Sequence, residues 1–172
     1  MLCGLYGEIA VSNSNSSMSF DLDDISDWFW NIIRGAAKDR FALERIIERL
    51  SSEQIYRFAL EFLEASSRLQ EKPFTYFVTP GSSEDDVEEI SWWVVSQGKE
   101  FYSNVWRHPE NMPSAELVED NSSQILYSVA EGILDDKLGE EGPDVREDYA
   151  KFLTSPYSRV DAYLKAQQEH DR

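Results

Sequence analysis

The fold class this sequence predicts is all-α: a single-domain, multi-helix orthogonal bundle, with or without a short extended segment at its N-terminus. Three observations carry it. At 172 residues one domain fits, and a chain of that size buries about 70% of the surface it exposes when unfolded, enough for one real core. Hydrophobic residues make up 41% of the chain and include five Trp, too apolar for a disordered polymer despite 28% charged residues. Apolar residues recur at helical spacing behind capping residues, while no β-prone run finds an obvious second strand to pair with.

Residues 1–19 read as a flexible or extended N-terminal segment. Within it, residues 12–19 are a polar low-complexity connector, and residues 4–11 suit either an edge strand or a loose surface stretch. Residues 20–140 form the main helical domain and 141–172 a C-terminal helical extension. The first helix begins behind Asp21, Asp23 and Asp24, whose carboxylates can cap free amides and complement the helix dipole. Ile25, Phe29, Ile32, Ile33 and Ala36 share its inner face, and Trp28 and Trp30 broaden it.

Asp39 caps the second helix, in which Leu43, Ile46, Ile47 and Leu50 make a core stripe. Ser51 and Gln54 have capping-box spacing and open a third helix that turns Ile55, Phe58, Ala59, Phe62 and Leu63 inward. The short turn between these two helices makes them antiparallel neighbours. Pro73 and Pro80 bracket a β-prone run, residues 74–79, read as an extended crossover.

Ser83 and Asp86 repeat the capping logic ahead of Val87, Ile90, Trp93 and Val94. Gly98 lies inside this helical pattern, where it implies a bend or a close backbone approach. Phe101, Tyr102, Val105 and Trp106 continue the apolar side until His108 and Pro109 stop it. A further helix over residues 122–138 carries Ile125, Leu126, Val129, Ile133 and Leu134, and Gly139 ends it. Val145, Tyr149, Phe152 and Leu153 mark the next helix, and Val160, Tyr163 and Leu164 the last.

Sixteen Lys and Arg against 33 Asp and Glu leave a formal charge of -17. The mean field repels phosphate backbones and anionic lipid, so direct nucleic-acid or membrane binding is not expected, whereas a basic protein partner is favoured. Cys3 is the single cysteine, so neither an intrachain disulfide nor a thiolate zinc cluster can form. With no run approaching the roughly 18 apolar residues of a membrane span, a cytoplasmic protein is expected.

The segment with the strongest pattern is residues 81–98. Glu84, Asp85, Asp86, Glu88 and Glu89 place five carboxylates in six positions at a helix start, followed by Trp92 and Trp93. Capping, dipole complement and a solvated face account for such acids in most helices. Carboxylates beside aromatics are also the composition of a protein interface. The adjacent tryptophans leave the helix about 100° apart, so one of them lies nearer the surface. A hard cation or an acid–base pair would need convergence with other groups that the spacing does not show. His108 and His170 are the only imidazoles and lack metal-spaced partners. No nucleophile elbow, phosphate loop, zincin or dinucleotide motif occurs, so no catalytic residue, metal ligand or cofactor is assigned.

Phe29 and Trp30 followed by Ile32 and Ile33, then residues 50–55 with Phe58, resemble the opening of an uncharacterised bacterial domain-of-unknown-function family. That family has a Gly-Cys-Ser-Asp-Asp-Gly-Phe turn before an aromatic helix, and residues 81–98 match it without a gap, with Gly81, Ser83, Asp85, Trp93 and Gly98 identical. Lys99, Phe101 or Tyr102, and Pro109 continue the match. The resemblance spans Ile25 to Gly139 and implies a mostly helical fold and no assigned activity; some members are fused to a WGR domain. Ser82, Asp86 and Ser91 depart from the family's cysteine, glycine and basic position.

The resulting expectation is a non-catalytic acidic protein, an immunity-type inhibitor or regulatory adaptor, that binds a basic partner through Glu84, Asp85, Asp86, Glu88, Glu89, Trp92 and Trp93. The sharper form is a nucleic-acid mimic. The alternatives are an enzyme using Asp85, Glu88 or Glu89 with Trp93, or an accessory subunit of a larger bacterial complex. Oligomeric state is left open.

Overall fold

A computed structural model describes residues 21–139 and 142–170, and the expectations for residues 1–20 lie outside the described residues. Among the described residues there are nine α-helices, four short 3₁₀ turns and no strand. The all-α bundle is therefore the observed fold.

Helix α1 spans Asp27–Ala36, and its cap differs from the expected one. Asp21 instead caps a 3₁₀ turn, Leu22–Asp24, while Ser26 Oγ accepts the Phe29 amide at 3.2 Å to start α1. Ile25 decides this: its extended backbone separates turn from helix so that its side chain, 1% exposed, can enter the core. Helix α2, Arg40–Ile47, is capped by Asp39 as expected, with Oδ1 accepting from Phe41 and Ala42. A Cβ on Gly35 would stand 3.2 Å from Ile46 Cδ1, so the missing side chain lets α2 lie close on α1.

Helix α3, Ser52–Arg68, carries the predicted capping box and is buried almost all round. Phe29, Phe58, Phe62 and Tyr127 form a chain of ring contacts at 5.1 to 5.9 Å through the core. The expected antiparallel pairing of α2 with α3 is not formed. Helix α7, Tyr127–Leu138, packs against both, and α2 otherwise packs on α1. The extended backbone of Ser51 swings α3 away, and the apolar surface of α3 is met by α4, α7, α8 and α9 instead.

Residues 74–79 are a second correction. Phe74–Tyr76 form a 3₁₀ turn, not an extended crossover. Phe74 and Val78 are buried while Tyr76 is 67% exposed, whereas strand alternation would bury all three on one face. Gly98 is a third. It neither bends one long helix nor admits a neighbour, since none of the described residues lies within 4 Å of its Cβ position. Its φ of 98° ends α4, Glu84–Ser96, and starts α5, Lys99–Arg107.

Helix α6, Ala115–Asp120, is a short element with no counterpart in the sequence reading. Helix α7 begins at Tyr127, after a 3₁₀ turn over Ser122–Gln124, because Ser96 Oγ accepts the Leu126 amide at 3.0 Å and pins the approach. Helices α8, Val145–Leu153, and α9, Val160–His170, pack on α3 and bury Val145, Tyr149, Phe152, Val160 and Tyr163, while Leu153 faces solvent. No helix among the described residues is long and apolar enough to cross a membrane.

Candidate functional site

The acidic start of α4 is built by its cap. Ser83 Oγ accepts the Asp86 amide at 3.1 Å and the Ser83 amide donates to Asp86 Oδ2 at 2.6 Å. The backbone bond from Ser83, with its side-chain bond, holds the Asp86 carboxyl below the usual aspartate value. Asp86 is thus a structural residue. Glu88 is also engaged: its Oε1 accepts from Arg146 Nη1 of α8 at 3.0 Å. Glu84, Asp85 and Glu89 are exposed and have no hydrogen-bond or ion-pair partner among the described residues.

Arg146 is the centre of a second group. Its guanidinium lies 5.7 Å from the Trp92 ring and 5.9 Å from Tyr127, and its Nε is 3.8 Å from Glu131. Trp92 stacks on Tyr127 with centroids 4.8 Å apart, and Tyr127 donates to Glu131 at 2.8 Å. Burial, reinforced by Glu131, pushes the Tyr127 phenol far above its usual range, so it stays a neutral donor. Trp92 is the half-buried tryptophan of the pair. Trp93 is 6% exposed, edge-on to Phe101 at 5.6 Å, and so belongs to the core instead of the partner surface expected for it.

From Glu131 the acidic surface continues into a cleft of about 540 Å³ between α7 and α8. Glu131, Asp135, Asp136 and Asp144 line it, with no Lys or Arg among the described residues of its wall. The structure therefore splits the seven predicted residues. Three acids stand free, Asp86 caps, Glu88 and Trp92 join Arg146, and Trp93 withdraws.

Two carboxylates that the sequence reading passed over lie inside the bundle. Glu61 and Glu64 on α3 are each 1% exposed. Glu61 accepts the Ser26 amide at 2.9 Å, the Ser26 hydroxyl at 2.7 Å and Arg57 Nε at 2.8 Å. Glu64 accepts from Arg68 Nη2 and Tyr149 Oη, both at 2.7 Å. With these partners they act as struts joining α1 and α8 to α3. Their signal was readable: each is an acid within a buried run and has an Arg four residues away.

Among the described residues no group of three or more His, Cys, Asp or Glu side chains is placed to hold a metal ion. His108 is exposed, 3.4 Å from the exposed Glu110.

A family model described as "Protein of unknown function (DUF4240)" matches residues 25–135, from Ile25 before α1 into α7. That is more than half of the chain, and the chain belongs to this family. No curated protein and no solved structure gives a match.

Proposed function

We propose that this family member is a non-catalytic acidic protein of the cytoplasm that binds a basic macromolecular partner, as an immunity-type inhibitor or regulatory adaptor. One observation supports the reading above others. Capping accounts for Asp86 and ion pairing for Glu88, yet the side chains of Glu84, Asp85 and Glu89 are exposed and without partners among the described residues, on a chain of net charge -17. No contact among the described residues uses their side-chain hydrogen-bonding capacity. Together with the acid-lined cleft at Asp135, Asp136 and Asp144, they offer a field that steers a cationic surface and repels nucleic acid. In the sharper form the carboxylates imitate a phosphate backbone and occupy the basic cleft of a nucleic-acid-binding protein.

The test is partner capture with the full chain, followed by affinity measurement with the purified partner at low and high salt. Two charge-matched triple variants are compared: Glu84→Lys with Asp85→Lys and Glu89→Lys, and Glu53→Lys with Glu100→Lys and Glu110→Lys. The first is expected to lose at least about tenfold in affinity and most of the salt dependence, the second far less. Equal losses, or binding indifferent to salt, overturn the proposal. Divalent cations separate it from an enzyme with a metal site, which would be stabilised by magnesium, manganese or calcium.

A further inference from the structure

We infer that the groove between α2 and α7 is the apolar anchor point for that partner, a basic amphipathic segment, and that Gly132 is small in order to admit it. The inference rests on the basic-partner reading and adds where and how the contact is made.

The groove measures about 580 Å³ and runs between Phe41 of α2 and Val129, Gly132 and Ile133 of α7. Phe41 is 73% exposed, the largest value among the exposed large hydrophobics of the described residues. Helix α2 buries Leu43 and Ile47 on its other side, so core packing does not explain Phe41. Isolated exposed aromatics are ordinary. This one is different because half-buried Val129 and Ile133 extend it into a continuous apolar strip.

Gly132 supplies the second, independent observation. It lies in the middle of α7, and no atom of the described residues stands within 4 Å of the position its Cβ would take. Glycine is the poorest helix former after proline. Among the described residues no neighbour demands it, and a larger side chain at this position would project into the groove.

Charge selects the occupant. Glu44 and Asp136 flank the strip, exposed and without a partner among the described residues. The cation on this rim, Arg40, is held by Ser128 at 2.7 Å. An apolar floor between free carboxylates suits a helix with a large apolar side chain between Lys or Arg residues, the helix-in-groove mode of recognition.

The test titrates the isotope-labelled full chain with a synthetic amphipathic Leu/Lys helical peptide, and with a Leu/Glu peptide as control. Amide shifts are expected at Phe41, Glu44, Val129, Gly132 and Ile133, with no comparable effect of the Leu/Glu peptide. Gly132→Leu is expected to weaken the Leu/Lys peptide about tenfold without lowering the melting temperature, and Phe41→Ala to weaken it as well. Shifts confined to residues 84–89, with affinity unchanged in a folded Gly132→Leu variant, overturn the groove and leave the basic-partner reading standing. Failure of the Leu/Lys peptide to bind anywhere overturns that reading too. Equal binding of the Leu/Glu peptide, or a concentration-dependent dimer that Gly132→Leu abolishes, assigns the groove to another occupant and overturns the inference.

Discussion

Tyr149 on α8 donates a 2.7 Å hydrogen bond to Oε2 of Glu64 on α3, a carboxylate 1% exposed. The other oxygen accepts from Arg68, and Ser67 hydrogen-bonds the same phenol. A buried charge is tolerated only when its oxygens are occupied, so this contact does more than fasten α8 to α3. It completes the solvation of Glu64 by protein groups.

Tyr149→Phe keeps the ring against Phe152 but leaves one Glu64 oxygen without its donor. The expected loss is about 1.5–3 kcal/mol, the range for hydrogen bonds to charged groups, read as a lower urea midpoint with an unchanged slope. A double-mutant cycle with Glu64→Gln should return a coupling of at least about 0.5 kcal/mol. Strict additivity would mean the two groups share no energy.

Two glycine-to-alanine changes should act in opposite directions. Gly98 holds φ 98° and ψ 172°, a region nearly closed to other residues, so Gly98→Ala should cost about 1–3 kcal/mol. Gly132 is helical with open space at its Cβ, so Gly132→Ala should add up to about 1 kcal/mol and raise the melting temperature by about 2–4 °C. Thermal unfolding of both variants checks the pair. A destabilised Gly132→Ala would show that α7 needs that glycine for its own sake.

The pH dependence of one ion pair can be isolated by difference. Arg159 hydrogen-bonds both oxygens of Asp161, at 3.0 and 2.8 Å, and holds that carboxyl below its ordinary value of 3.8. Below 3.8 the unfolded chain takes up a proton that the folded chain still refuses, so the pair's contribution is complete above 3.8, shrinks as pH falls from there toward the folded value, and is gone below it. Asp161→Asn should therefore cost about 0.5–1 kcal/mol at pH 7, a value suited to a part-exposed pair. The deficit should vanish in acid. Comparing variant with parent removes the general relief of negative self-repulsion; a deficit that does not shrink as pH falls below 3.8 would assign the effect to packing.

Local signals were read well because they act over a few residues. The caps at Asp39, Ser51 with Gln54, and Ser83 with Asp86 each need partners two or three positions away, and each formed as read. The failures share a cause. At Ile25, residues 74–79 and Leu126, the chain was redirected by a distant partner: the core for Ile25, a ring contact 5.0 Å from Trp106 for Phe74, and Ser96 for Leu126. None of these is visible in a short window.

The candidate surface divides in the same way. That residues 84–89 would be acidic, helix-opening and partly free followed from the residues themselves, as did the separation of Trp92 from Trp93. Which tryptophan goes inward depended on Phe101 and Tyr127, which come from different helices. Glu61 and Glu64 became buried struts only because Ser26 and Tyr149 arrive from α1 and α8.

By itself the sequence determined the helical class, the family and the strongly negative field, since spacing, motif and composition are properties of a chain before it folds. Tertiary structure decided which acids stay free, which are consumed by caps and pairs, and that a groove opens beside Gly132. The reason is that availability is what remains after packing, and packing depends on residues far apart in the chain.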